Sequence, residues 1–219
     1  MALLNANNLG VYILRQDDVV QTSPMRVEVA ASTASAITAV AAADPADTIW
    51  FAVNDSNEWL EYSTTGRPNV YFYDQSTDTS SDRSAELDLA YAATNSSLDF
   101  STTVDEVVAK GDQCKSSTYT SIGANSWSIT CDGLITNENL NNVLYNRGTQ
   151  IFDMCNRGEY VIVKYMLDTE DGTGTNENDT VYIGQGIIES ANISGTFDST
   201  TTYSATIRGY GKLYKFVNS

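Results

Sequence analysis

Five acidic residues crowd into one short segment, Asp168, Glu170, Asp171, Glu177 and Asp179 in DTEDGTGTNEND. Carboxylate oxygens are the ligands that Ca²⁺ takes. Their spacing does not follow an EF-hand loop, which alternates Asp or Asn, adds a central glycine and closes on a distal Glu. A solvated hairpin tip is the better reading. The pairs Gly184/Gly186 and Gly209/Gly211 resemble fragments of a phosphate-binding loop, but no lysine-bearing P-loop follows and no helix opens there. Bulges or close strand approaches suit them better. Trp50, Trp59, Tyr71 and Tyr73 would serve either as a sugar-stacking platform or as the small core of their own segment, and the second reading is preferred. Cys114, Cys131 and Cys155 are odd in number and irregularly spaced, which suits reduced thiols rather than a disulfide framework. Histidine is absent. That removes the commonest general base, the usual Ser and Cys triads, and most zinc or iron sites. Carboxylate or lysine chemistry stays open, yet no spacing favours it. No catalytic residue, metal site or cofactor is expected.

The elements that would position any site are mostly strands, because alternation dominates the chain. LGVYIL from Leu9 reads as a first strand. In NSSLDFSTTVDEVV, Leu98, Phe100 and Val104 fall on one side, with Ser97, Asp99, Ser101, Thr103 and Asp105 on the other. In SWSITCDGL, Trp127, Ile129 and Cys131 oppose Ser126, Ser128 and Thr130. EYVIVKYML is almost continuously apolar, as a strand covered on both faces should be. VYIGQGIIES and TYSATIRGYGKL complete the set, with Tyr203, Ala205 and Ile207 opposing Ser204, Thr206 and Arg208. One helix is expected between Thr136 and Arg157, where Leu140, Val143, Leu144, Ile151, Met154 and Cys155 form one apolar stripe. Gly158 would terminate it, and Gly148 weakens its middle enough to allow two shorter pieces. From about Gln21 to Asp88 the texture changes. An alanine-rich stretch precedes short aromatic strands, DTIWFAV, EWLEY and NVYFYD, and a Ser- and Asp-rich tail closes the segment like a linker.

Charge is lopsided: 12 basic residues stand against 28 acidic ones, a net charge of −16 across 219 residues. Phosphates are neutralised by Lys and Arg, so such a surface does not attract nucleic acid. It suits plain solubility, or a wall past which a polyanion must slide without sticking. The opening segment does not read as a secretory leader and no apolar run is long enough to span a bilayer, so no membrane association is expected.

The order of the motifs resembles the major tail tube proteins of siphovirus-type bacteriophages. In that family a Trp-Ser-(Ile/Val)-Ser-x-(Asp/Ser)-Gly-Leu strand precedes a helix, and Trp127, Ser128, Asp132, Gly133 and Leu134 stand at the matching positions. A Tyr-x-Gly-x-Gly/Ala-x-Ile strand follows, matched by Tyr182, Gly184, Gly186 and Ile188. The terminal strand is matched by Tyr203, Ser204, Thr206, Gly209, Gly211 and Leu213. The likeness covers roughly residues 1–20 and 88–215 and leaves out the middle segment.

The resemblance implies a mainly β fold, a β-sandwich or barrel with one flanking helix, formed by residues 1–20 and 88–219. Residues 21–87 would be an inserted small β-rich module on the outer surface. It also implies hexameric rings that stack into a tail tube, with inner sheets joined into one barrel. The partners would be other copies of the chain and other tail proteins: terminator, distal tail or baseplate, and tape measure. DNA would pass through the lumen without specific binding. The chain would be assembled in the host cytoplasm and reside in the virion tail. On this reading Asp99, Ser101, Thr103, Asp105, Ser128, Thr130, Ser204 and Thr206 face the lumen, and Leu98 and Phe100 face the core. Arg208 shares the lumen face and calls for a neighbouring carboxylate. A polar loop of about Val108–Asn125, carrying Lys110, Asp112, Lys115 and Tyr119, would be disordered in the monomer and order between rings. Other readings of the same architecture are a type VI secretion tube-like protein or a tail-terminator ring. A carbohydrate-binding β-sandwich is a reading from another class.

Overall fold

A computed structural model of the chain describes residues 9–14, 24, 26–30, 38, 48–53, 69–74, 79–82, 88–89, 93–110, 116–134, 147–167, 180–195 and 201–217. Apolar–polar alternation becomes strand almost throughout. The strands are β1 (Leu9–Leu14), β2 (Arg26–Ala30), β3 (Thr48–Val53), β4 (Asn69–Asp74), β5 (Thr79–Asp82), β6 (Asp88–Leu89), β7 (Ala93–Lys110), β8 (Ser116–Leu134), β9 (Tyr160–Leu167), β10 (Thr180–Ser194) and β11 (Thr202–Val217). Helix α1 spans Arg147–Arg157.

A seven-stranded sheet runs in the order β6-β1-β9-β10-β11-β8-β7, and a four-stranded sheet in the order β2-β3-β4-β5. Every neighbouring pair in the larger sheet is antiparallel. In the smaller one β2 and β3 run parallel. Among the described residues the larger sheet is open, with β6 and β7 as its outer strands. The acidic segment 168–179 and most of the alanine-rich stretch lie outside the described residues.

The core sits on one face of the larger sheet. Trp127, Ile129, Cys131, Val161, Val163, Ile188, Tyr203, Ala205 and Ile207 meet there, with Val11 and Ile13 from β1 and Ile151 and Met154 from α1. Ile129 and Ile207 are wholly buried, each contributing about 1.5–3 kcal/mol relative to exposure. In β9 Val161 through Met166 are all buried, as its continuous apolar sequence requires.

Helix α1 buries Ile151 and Met154 and half-buries Cys155, the C-terminal part of the expected stripe. Leu140, Val143 and Leu144 fall outside the described residues, and Gly148 lies in the first turn of α1 rather than at its middle. The helix ends as a Schellman motif: Gly158 adopts φ 64°, its N–H donates to Cys155 O at 3.1 Å, and Glu159 N–H donates to Met154 O at 3.0 Å.

Two expectations need correction. The segment Val108–Asn125 is not a long loop. β7 extends to Lys110 and β8 begins at Ser116, with pairs such as Val108↔Thr118 and Thr102↔Asn125, so only residues 111–115 join them. A cross-strand ladder satisfies the backbone of a polar hairpin even where its side chains bury little. Phe100 is also not core. It is 61% exposed and Val104 is 54% exposed; Phe100 makes a tilted ring contact with Tyr182 at 5.9 Å. The alternation along β7 is as read, but the chain's own core stops at Leu98, which packs against it.

Candidate functional site

Opposite the core, β7, β8, β11 and β10 present one polar face. Register sets its rows. Ser97 stands beside Thr130, Thr130 beside Thr206, and Thr206 beside Ser190. Asp99, Ser128 and Arg208 form a second row, and Asp132, Ser204 and Asn192 a third. Ser101 lies opposite Ser126. Asp99, Ser101, Thr103 and Ser204 are exposed, and Ser128, Thr130 and Thr206 are half-buried. The hydroxyls pair across strands: Ser97 Oγ lies 2.7 Å from Thr130 Oγ1 and Ser101 Oγ 2.8 Å from Ser126 Oγ. Ser97 Oγ donates to Asp99 Oδ2 at 3.0 Å. Most of the expected face is therefore brought together on one surface. Asp105 is a strand residue opposite Ser121. Lys110 ends β7 opposite Ser116 and Tyr119 pairs with Val107, while Asp112 and Lys115 fall outside the described residues.

Sequence alternation missed the contribution of β10. Between Ile188↔Ile207 and Ser190↔Thr206 the register shifts by one residue, and Glu189 is the extra residue. The bulge inverts the phase of the strand. Ile188 is buried in the core, yet Ser190, Asn192 and Ser194 line up with the polar residues of β11. The signal in the sequence is the apolar doublet Ile187–Ile188 followed by alternation in the opposite phase, ESANIS. Glu189 also supplies the partner that Arg208 calls for: Arg208 Nη1 donates to Glu189 Oε1 at 3.0 Å.

The glycine pairs mark a close strand approach and one register shift. Trp127 lies across β11 and β10, where a β-carbon on Gly209 would fall inside its indole ring, and one on Gly184 would come within 2.8 Å of the indole and of Leu213. The indole Nε1–H donates to Gly211 O at 3.0 Å, and Gly211 takes φ 74° where the β10–β11 register shifts. A side chain at any of these positions would displace the ring or strain the backbone.

Little in this region is reactive. Burial, and secondarily the charge of Asp132, pushes the Cys131 thiol up to about 12, so it stays protonated and non-nucleophilic at neutral pH. Tyr203 is raised in the same direction, first by burial, then by Cys131 and Asp132. Among the described residues no group of three or more Cys, Asp or Glu is arranged to hold a metal ion, and no helix is long and apolar enough to cross a membrane.

No family model and no curated protein sequence matches the chain. Among solved structures, the chain is similar to one from the tail of an empty GTA particle determined with C6 symmetry, at 16% identity and TM-score 0.41, covering 57% of this chain and 83% of that one. It is similar to a chain of the virion of a native gene transfer agent at 14% identity and TM-score 0.41, covering 62% and 91%. The SPP1 tail tube is similar at 15% identity and TM-score 0.40, covering 68% and 75%. Likeness at these values assigns neither family nor function.

Proposed function

We propose that the chain is a structural tail tube protein whose copies form hexameric rings that stack into the conduit for phage DNA. The observation that carries this reading is the two-faced sheet. Residues that match the tail tube motifs put Trp127, Ile188 and Tyr203 into one core, and Ser128, Asp132, Ser204 and Thr206 onto one polar face. A conduit wall needs short polar side chains backed by a packed layer. The polar face supplies hydroxyls, amides and carboxylates, and the long outer strand β7 leaves an edge that another copy would cover.

On this reading Asp99, Ser101, Thr103, Asp105, Ser128, Thr130, Ser204 and Thr206 line the lumen. The β7–β8 tip, with Lys110, Asp112, Lys115 and Tyr119 at or near it, meets the next ring. Terminator, distal tail or baseplate, and tape measure proteins are the partners, and the chain is placed in the virion tail after assembly in the host cytoplasm. Residues 21–87, which include the whole four-stranded sheet, form a module on the tube's outside, since an added module in the lumen would obstruct DNA. Replacing that module with a Gly/Ser linker should leave tube formation intact.

Electron microscopy of the purified, concentrated chain by negative stain, with sedimentation, tests the proposal. Rings or tubes are expected. A monomer at every concentration and salt, above all one that binds glycans, would overturn it.

A further inference from the structure

The polar face holds one cation in a setting otherwise made of hydroxyls, amides and carboxylates. In the stretches 97–101, 126–134, 189–194 and 202–208, Arg208 is the only Lys or Arg. Its side chain is 67% exposed, and an exposed guanidinium is the side chain best shaped to hold a phosphate by two parallel hydrogen bonds. Glu189 occupies that fork at 3.0 Å. Glu189 stands two residues beyond Ile187, the register partner of Arg208, and is the extra residue of β10 between Ile188↔Ile207 and Ser190↔Thr206. The bulge brings Ser190 and Asn192 onto the face that Glu189 and Arg208 already share. Stability gives little reason for the arrangement, since an ion pair this exposed contributes little.

We propose that Glu189 silences Arg208, keeping the one guanidinium of this face from holding the phosphates of duplex DNA. The inference rests on the tube reading, because it is the repetition of Arg208 around a ring that would turn one weak contact into a collar of cations. With Glu189 in place the collar is neutral and offers no site at which a polyanion stops. Without it, each ring presents guanidinium forks open to a phosphate, the next carboxylate in the row, Asp99, lying beyond Ser128.

The test uses tubes assembled from the full chain, incubated with a short fluorescent DNA duplex and sedimented across a salt series. Native, Glu189→Gln, Arg208→Gln and the double variant are compared. Asp153→Asn on α1 makes the same charge change away from the face. Glu189→Gln tubes are expected to carry down at least about tenfold more duplex than native tubes at about 50 mM salt, falling steeply as salt rises because the binding releases counterions. The double variant should return to the native level, and Asp153→Asn should not depart from it. Intact Glu189→Gln tubes that retain no more duplex than native ones overturn the proposal and leave the tube reading standing. Glu189→Gln chains that fail to form tubes also overturn it, by making the pair an assembly contact. If the native chain forms no tubes, the tube reading falls and this proposal with it.

Discussion

The strands β8 and β11 carry two chemistries on alternate residues of the same backbone. On one face Ile129 and Ile207 have no solvent exposure, and Trp127 fills a slot that Gly184 and Gly209 leave open. On the other, Ser128, Thr130, Ser204 and Thr206 are half-buried or exposed, beside hydroxyl pairs such as Ser97–Thr130. The first face is sensitive to volume, because interiors are close-packed and a single methyl group is felt. The second is sensitive to charge and nearly indifferent to volume, since exposed hydroxyl and ion pairs contribute little to folding. Stability therefore lies on one side of the sheet, and the other side is free to be shaped by whatever meets it. Substitutions on the two faces should separate folding from assembly and passage.

The sharpest break of that comparison is on the core face. Gly209→Ala puts a methyl group within 2.5 Å of three atoms of the Trp127 indole, a ring held within the core. The cost should reach or pass the upper end of the about 1–3 kcal/mol usual for overpacking, and little soluble folded protein is expected by circular dichroism and thermal melting. Gly158→Ala calibrates it: nothing lies within 4 Å of that position, and its φ of 64° is the only obstacle. It should remain folded and lose about 1–2 kcal/mol. Equal losses at the two sites would mean that the slot beneath Trp127 does not decide the packing.

The core was the more legible side in sequence. Alternation places Trp127, Ile129, Cys131, Tyr203, Ala205 and Ile207 together, and the continuous apolar run of β9 is buried on both faces. The end of α1 follows from Gly158. The polar face was legible on β7, β8 and β11 and lost on β10, because one bulge residue reverses the phase of everything after it and period-two reasoning has no means of inserting it. A close approach at Gly184 and Gly209 was legible, but not what approaches, since the ring that excludes a β-carbon comes from a strand more than fifty residues earlier in the chain. The extent of the β7–β8 hairpin was misread for a different reason. Residues 116–125, SSTYTSIGAN, have no apolar alternation, so the ladder that makes them strand is visible only in the pairing with β7.

The next largest effect should leave the fold alone and abolish assembly. The hairpin tip 111–115 lies between paired Lys110 and Ser116, so exchanging those residues for a two-residue Asn-Gly turn keeps both strands, and Asn-Gly is a favoured hairpin turn. The variant should melt like the native chain and yield no tubes by negative stain. Tubes of normal length would remove the tip from the inter-ring contact.

Charge on the polar face should act more gently. Asp99→Lys with Asp105→Lys is expected to allow tubes to form but slow or stall the passage of DNA, with the effect largest at low salt, where the screening length exceeds about 10 Å. Virions carrying the double variant, triggered in vitro, would report ejection kinetics. Rates unchanged across the salt series would show that these carboxylates do not meet the DNA.

The smallest effect concerns pH, and it belongs to the core face. Burial holds the Cys131 thiol up to about 12 in the folded chain, whereas a free thiol loses its proton near about 8.5. Between those values the unfolded chain binds fewer protons than the folded one, so stability falls as pH rises. The thiol's contribution is fully present below the unfolded value and is lost progressively through the alkaline range. Its limiting slope is about 1.4 kcal/mol per pH unit. Tyr203, shifted in the same direction, adds to the alkaline loss and remains in a Cys131→Ala variant. That variant should be less stable than the native chain at pH 7, because it leaves a small cavity in the core. The gap between the two urea midpoints should then narrow steadily from about pH 8.5 to pH 10.5. Native Cys131 should also resist thiol reagents at neutral pH until the chain unfolds. A gap that stays constant with pH, or rapid labelling at Cys131 itself in the folded protein, would mean that the space around Cys131 admits water and that the core face is less closed than the fully buried Ile129 and Ile207 indicate.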